Sequence, residues 1–217
     1  MIKGFIFDLD GVITDTAEYH YLAWKALADE MGWKFDREVN ENLRGVSRID
    51  SIEIIAAHNE VNMEESELSE IANKKNDLYV QSLEKITPAD YLPGVKRLLD
   101  TLTEKGYKIG LGSASKNAQM VLKKLQATEY FDVIGDGSSV SKSKPAPDLF
   151  LFVADALGLK PEECIVYEDA ESGVDAARAG GFRSVGIGPE DRVGHADLCF
   201  PDMQSASFEK IQPSFNL

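Results

Sequence analysis

The chain has 217 residues, 43% of them hydrophobic, and a formal net charge of −14. That length suits one large domain or a core carrying an insert, and the apolar content suits a buried core. The acidic balance argues against nucleic acid as a partner, and with no long charge-free apolar run no membrane-spanning helix is expected. Met1-Ile2-Lys3 leads straight into a strand-like run without the pattern of a secretory signal, so a cytoplasmic location is expected. Cys164 and Cys199 lie far apart without metal-like spacing and read as buried thiols, not as a disulfide or zinc site.

In chain order, residues 4–8, Gly-Phe-Ile-Phe-Asp, read as a short strand buried on both faces. Asp15-Thr-Ala-Glu18 resembles a capping box opening a helix that closes near Gly32. From there to about residue 90 the pattern stays helical: Ile52, Ile55 and Ala56 share one face, and Leu68, Ile71 and Lys75 recur at similar spacing. Beyond Pro93 the pattern alternates. Helices are expected over 93–102, 116–125, 147–157 and 172–179, and strands over 107–112, 131–134, 164–167 and 184–187. Such alternation implies right-handed crossovers and a parallel sheet. The expected fold is a doubly wound α/β core of residues 1–14 and 91–217, with a helical insert of residues 15–90 after the first strand. Residues 201–217 carry little pattern.

A negative whole-molecule field does not draw an anionic substrate inward, so a phosphate site would need its own cluster of cations and N–H groups. Four segments offer chemistry. Asp8 and Asp10 stand where the first apolar strand ends, the usual ligand crevice of an open α/β sheet. Two carboxylates so close call for a cation or a shared proton, and hard oxygen donors suit Mg²⁺; alone, Asp10 could equally cap the turn before Gly11. Gly112-Ser113-Ala114-Ser115-Lys116-Asn117 combines hydroxyls, a lysine and helix N-terminal N–H groups, either an anion site or a simple N-cap. Ser143-Lys144-Pro145-Ala146-Pro147 would hold Lys144 in a stiff loop, or merely present it to water. Glu168-Asp169 follows another strand, to bind metal or to cap the next helix.

Taken together and in this order, Asp-Leu-Asp-Gly, Ser113, Lys144-Pro and Glu168-Asp169 resemble the haloacid-dehalogenase-like superfamily from Phe5 to about Gly188. That resemblance implies a Rossmann-like core with a cap domain and a Mg²⁺-dependent phosphotransferase. Asp8 would be the nucleophile that becomes an aspartyl-phosphate, and Asp10 the acid/base with its backbone carbonyl on the metal. Glu168 and Asp169 would complete the metal site. Ser113 and the Ala114 N–H would hold phosphoryl oxygens, and Lys144 would offset charge in the transition state.

The insert narrows the expectation. Thr16, His20 and Trp24 in the segment after Asp10, Gly45-Val46-Ser47-Arg48, and Lys75-Asn76-Asp77 are similar to the superfamily's hexose-phosphate mutases. This implies phosphorylated hexose substrates, with glucose 1-phosphate and glucose 6-phosphate interconverted through glucose 1,6-bisphosphate by a monomer. Arg48, Ser115, Lys116 and Asn117 would grip the phosphate that is not transferred, an Arg fork suiting phosphate oxygens. Lys75 would contact the sugar or help position the insert. Thr16 and His20, one helical turn apart, would control Asp10 and cap closure. Trp24 would serve packing as much as recognition. His58 and His195 match nothing and read as surface residues. A sugar-phosphate phosphatase on the same scaffold would share Asp8, Asp10, Ser113, Lys144 and Asp169 without needing the distal clamp. A non-catalytic phosphosugar-binding protein would need neither Asp8 nor Asp10.

Overall fold

Phe5 and Phe7 turn to one side of their strand and Ile6 to the other, and all three are fully buried. Apolar cover on both faces is what a central parallel strand requires. The computed structural model describes residues 1–217 and sets this strand, β1 (Gly4–Phe7), in the middle of a six-stranded parallel sheet. Its partners are β2 (Lys108–Gly112), β3 (Val133–Gly135), β4 (Cys164–Glu168), β5 (Arg183–Ile187) and β6 (Leu198–Phe200), in the order β3-β2-β1-β4-β5-β6. Strand order reverses at β1, between its neighbours β2 and β4. A crevice therefore opens at the carboxyl ends of these strands.

Helices cover both faces. α5 (Val95–Glu104), α6 (Ala118–Leu125) and α10 (Phe208–Phe215) pack on the face lined by Phe5, Phe7, Ile165 and Tyr167. α7 (Asp148–Ala156) and α8 (Glu171–Ala179) cover the opposite face, with Ile6, Cys164 and Val166. Between β1 and β2 lie α1 (Ala17–Met31), α2 (Arg37–Glu41), α3 (Arg48–His58) and α4 (Glu65–Leu83), without a strand. These helices have an apolar cluster of their own, built on Trp24, Leu27, Phe35, Ile52 and Ile55. Tyr79, Leu83 and Ile86 join the main core instead, so the base of α4 is tied to the sheet. No helix is long and apolar enough to cross a membrane.

Several expectations are corrected. The capping box at Asp15–Glu18 does not form: Thr16 is the N-cap of α1 and makes no capping bond, its hydroxyl being turned to Asp10. Helices expected from Pro93 and Lys116 begin at Val95 and Ala118, each after a turn. Residues 201–217, with little pattern in the sequence, contain α10, whose Phe208 and Ile211 are buried; before them, a short helix, α9 (Glu190–Val193), and the edge strand β6 follow β5. Cys164 is buried as expected, but Cys199 is exposed, because it lies on the edge strand. His58 is exposed, whereas His195 is half-buried, with Nε2 3.2 Å from an Asp175 carboxylate oxygen.

Candidate active site

The four chemical segments converge because each follows a strand of one parallel sheet. Asp8 comes directly after β1, Ser113 after β2, Lys144 in the loop after β3, and Glu168-Asp169 at the end of β4. Two glycines permit the close packing. Gly11 has φ +77°, and a Cβ there would collide with the Asp169 carboxylate. A Cβ on Gly173 would collide with Glu168.

Lys144 is the hub. Its side chain is wholly buried, and Nζ donates to Asp8 Oδ1 at 2.6 Å and to a Glu168 oxygen. Burial opposes its charge, but the Asp8 and Glu168 carboxylates outweigh this and raise its pKa. For Asp8, burial pushes the carboxyl up to about 6, with Lys144 pulling down and Glu168 pushing up. Asp169 is raised well above the usual carboxylate range, first by burial and then by Glu168 and Asp8. Glu168 also accepts from the Ala170 N–H at 2.9 Å.

Asp8 and Asp10 both line the cleft, but they keep different partners. The strand ends at Phe7, and Asp10 enters a turn closed by Gly11 N–H to the Thr14 carbonyl at 2.8 Å. Its Oδ1 accepts the Thr16 hydroxyl. Burial, then the Asp8 charge, pushes the Asp10 carboxyl up to about 8, against the pull of Lys75. Asp10 is thus a carboxyl that holds its proton near neutral pH, beside one that does not.

Above these groups is a cavity of about 610 Å³ between the sheet and the helical insert. From the core it is lined by Asp8, Asp10, Ser113, Ala114, Ser115, Lys116, Asn117 and Asp169. From the insert it is lined by His20, Trp24, Gly45, Val46, Ser47, Arg48 and Lys75. Thr16, Lys144 and Glu168 are buried outside this lining, Thr16 bonded to Asp10 and Lys144 to Asp8 and Glu168. Ser113 is buried, its N–H bound to the Gly135 carbonyl at 3.1 Å, and its Oγ accepts from the Ser115 N–H at 3.2 Å. The Ala114 N–H has no partner within the protein. Asn117 bonds across the cleft to Asn76 Oδ1 at 2.8 Å.

The insert supplies an unusual basic group. Lys75 is 2% exposed, with Nζ 4.9 Å from the Trp24 ring centre, 4.8 Å from that of Tyr79, and 2.6 Å from His20 Nδ1. Burial, then repulsion from Arg48, pushes its pKa down to about 7. Burial, then the charges of Lys75 and Arg48, hold His20 well below its ordinary value, so the imidazole is neutral and accepts from Lys75. Arg48 is half-buried and forms no ion pair, and burial lowers its pKa. An unpaired guanidinium in a cavity wall is costly for the free protein, as expected of a group kept for an anionic ligand.

Other contacts are absent from the sequence reading. Arg44 donates to Asp169 Oδ2 at 3.0 Å and to Glu41 at 2.8 Å, and Arg192 lies 4.0 Å from the same Asp169 oxygen. Asp50 accepts from Ser47 and Ser143, and Tyr79 packs at a tilt against His20 with ring centres 4.0 Å apart. Tyr79 alone has a signal in the sequence: it lies one turn beyond Lys75 on the buried face of α4. Arg44 and Asp50 pair with residues far away in sequence, and nothing local marks them.

Asp8, Glu168 and Asp169 are all buried, and each offers a carboxylate oxygen within 4.8 Å of the others. Three crowded hard oxygen donors suit a divalent cation, which would relieve the repulsion that raises Asp8 and Asp169. The Asp10 carboxylate is not among them.

The carboxylate-bearing strand end, lysine hub and acidic cluster on a doubly wound sheet define a phosphotransferase-type α/β enzyme. Residues 2–181 match the haloacid dehalogenase-like hydrolase family, and the chain belongs to that family. It is 44% identical to a β-phosphoglucomutase of Bacillus subtilis over 97% of this chain and 94% of that protein. A β-phosphoglucomutase structure from Clostridium difficile superimposes with a TM-score of 0.95 at 42% identity, covering 100% of this chain and 98% of that one. A fructose-1-phosphate phosphatase of Escherichia coli is 32% identical over 85% of this chain and 95% of its own length.

Proposed function

We propose that this chain works as a β-phosphoglucomutase, interconverting β-D-glucose 1-phosphate and glucose 6-phosphate through β-glucose 1,6-bisphosphate and an aspartyl-phosphate on Asp8. One observation carries the reading beyond phosphate hydrolysis. The cavity that holds Asp8 is also lined by Arg48, a guanidinium with no carboxylate partner. A phosphatase needs one phosphate site, whereas a mutase must grip a second phosphate whichever end of the sugar faces the nucleophile.

The cycle uses Asp10 in both states, ionised to accept a proton and protonated to return it. With a phosphoryl group on Asp8, Asp10 takes the proton of the sugar 6-hydroxyl as that oxygen attacks phosphorus. The bond to Asp8 breaks and the bisphosphate forms. After the bisphosphate turns over, Asp8 Oδ attacks the 1-phosphoryl group, and Asp10 returns its proton to the leaving O1. The Thr16 bond to Oδ1 leaves Oδ2 to carry that proton. A carboxyl pushed up to about 8 holds it at neutral pH, as a general acid requires. Lys144 keeps Asp8 ionised and aimed. Ser113 and the free Ala114 N–H bind phosphoryl oxygens, while Arg48, Ser115, Lys116 and Asn117 bind the other phosphate. Lys75, with His20 behind it, meets the sugar near Trp24.

The cation is Mg²⁺ in this reading, held by Asp8, Glu168, Asp169 and the Asp10 carbonyl. Bound there, it supplies positive charge beside the phosphoryl oxygens. Residues 15–90 act as a cap closing on a core of residues 1–14 and 91–217, a division supported by the separate apolar cluster of the insert. The enzyme is read as a cytoplasmic monomer, where its charged sugar substrates are retained. The test is incubation with β-glucose 1-phosphate, Mg²⁺ and a trace of bisphosphate. Glucose 6-phosphate should form with little free phosphate. Free phosphate as the main product would make the chain a sugar-phosphate phosphatase.

A further inference from the structure

Lys144 is reached by a loop that the core holds only at its start and end. At the start, Asp136 Oδ1 accepts from the Ser138 N–H at 2.9 Å and the Ser138 hydroxyl at 2.5 Å. The Asp136 N–H in turn donates to Ser139 Oγ at 3.0 Å. At the far end the Ala146 N–H donates to the Ser143 carbonyl at 3.0 Å, just before α7. Between them, Val140 to Lys142 make no hydrogen bond. The one side-chain tether in the second half of this loop, before Lys144 itself, comes from the helical insert: Ser143 Oγ donates to Asp50 Oδ2 at 2.5 Å.

Asp50 is well prepared for this. It lies in the first turn of α3, where Ser47 is the N-cap. The Ser47 hydroxyl donates to Asp50 Oδ2 at 2.8 Å, and the Asp50 N–H donates back to Ser47 Oγ at 3.2 Å. The reciprocal pair fixes the carboxylate and aims its oxygen at Ser143. Arg48 stands in the same helical turn, two residues away. A phosphate gripped by Arg48 would therefore pull on the same turn that carries the acceptor for Ser143. Ser143 is covalently next to Lys144, whose ammonium sits on Asp8.

We infer that Asp50 is a positioning residue which couples closure of the helical insert on the distal phosphate to placement of Lys144 against Asp8. The link rests on the mutase reading for its substrate but not for its geometry. When the insert is closed, the Asp50–Ser143 bond orders the loop and holds Lys144 in its buried place. When the insert swings away, the bond is lost and the loop relaxes. Phosphoryl transfer is thereby favoured while the cleft is shut against water.

Four variants test this: Asp50→Ala, Asp50→Asn, Ser143→Ala and the double alanine. Hydrogen exchange of the Ala146 amide, the bonded N–H of this loop, reads the tether without any assumption about substrate. In Asp50→Ala this amide should exchange faster while those of β1 and β4 keep their protection, and an unchanged Ala146 amide would overturn the inference. Turnover of β-glucose 1-phosphate reads the coupling. Each alanine variant should lower kcat by about tenfold, the loss of one net hydrogen bond to a charged group, with KM changed by less than about threefold. The double variant should be no slower than either single one, since both remove the same bond. Asp50→Asn keeps an acceptor oxygen and should recover most of the rate. Multiplicative losses, rates within twofold of wild type, or no rescue by Asn would each refute the coupling. If wild-type enzyme left β-glucose 1-phosphate unchanged, the mutase reading would fall, while the exchange data would still decide the tether.

Discussion

Replacing Arg48 by Ala should separate the two halves of the reaction. Arg48 lies half-buried at the start of α3, lines the cavity, and has no acidic partner. Its loss removes a fork of charge-assisted hydrogen bonds to the distal phosphate, at about 1.5–3 kcal/mol for each bond. Ser115, Lys116 and Asn117 remain, so the net effect is smaller than the sum. A loss of at least ~1.4 kcal/mol, or about tenfold, is expected in transfer from the aspartyl-phosphate to β-glucose 1-phosphate. The free protein should not be destabilised, because burial outweighs the attraction of Asp77 for the Arg48 charge, which also repels Lys75. Phosphorylation of Asp8 by acetyl phosphate involves no distal phosphate and should be nearly unchanged. Rapid-quench measurement of the two half-reactions, with thermal unfolding as control, gives the answer. Equal slowing of both steps, or of neither, would remove Arg48 from the distal site and with it the main support for a mutase over a phosphatase.

Asp8→Asn should abolish turnover with the fold intact by circular dichroism; activity within about tenfold of wild type would rule Asp8 out as nucleophile. Exhaustive chelation should stop turnover, and adding Mg²⁺ to the chelated protein should raise its unfolding temperature by relieving repulsion among Asp8, Glu168 and Asp169. Full activity without metal, or no thermal shift, would contradict the proposed site. Thr16→Val should slow transfer steps that depend on Asp10, whereas Thr16→Ser should restore them; equal rates in both would mean that the bond to Asp10 Oδ1 has no role. Lys75→Met should stabilise the ligand-free protein most at low pH. The Lys75 pKa falls to about 7 in the fold but is about 10.4 in an unfolded chain, so between these values the unfolded state binds more protons and wild-type stability rises with pH. The advantage of the Met variant should therefore shrink from about pH 6 to about pH 9, and a constant difference would show that Lys75 is not desolvated as described.

The sequence by itself determined the alternation of strands and helices beyond Pro93, because short apolar runs and turn residues are local signals. It also determined that Asp8, Ser113, Lys144 and Glu168-Asp169 each fall at or after a strand end. In a parallel sheet all those ends face one crevice, so chain order alone brings them together. Helix starts were less legible: the tight turns before Val95 and Ala118 delay both helices past the residues that seemed to open them. The Asp15–Glu18 segment has the spacing of a cap, yet Thr16 serves Asp10, since a buried carboxyl competes better for a hydroxyl than a helix end reached by water. Only the tertiary structure decided that Asp8 and Asp10 have different partners, one Lys144 and the other Thr16. Nor does any local pattern join Arg44 to Asp169 or Asp50 to Ser143, pairs separated by 125 and 93 residues. Such contacts, and the desolvation that brings Lys75 to about 7 and Asp10 to about 8, exist only once the helical insert closes over the sheet and excludes water.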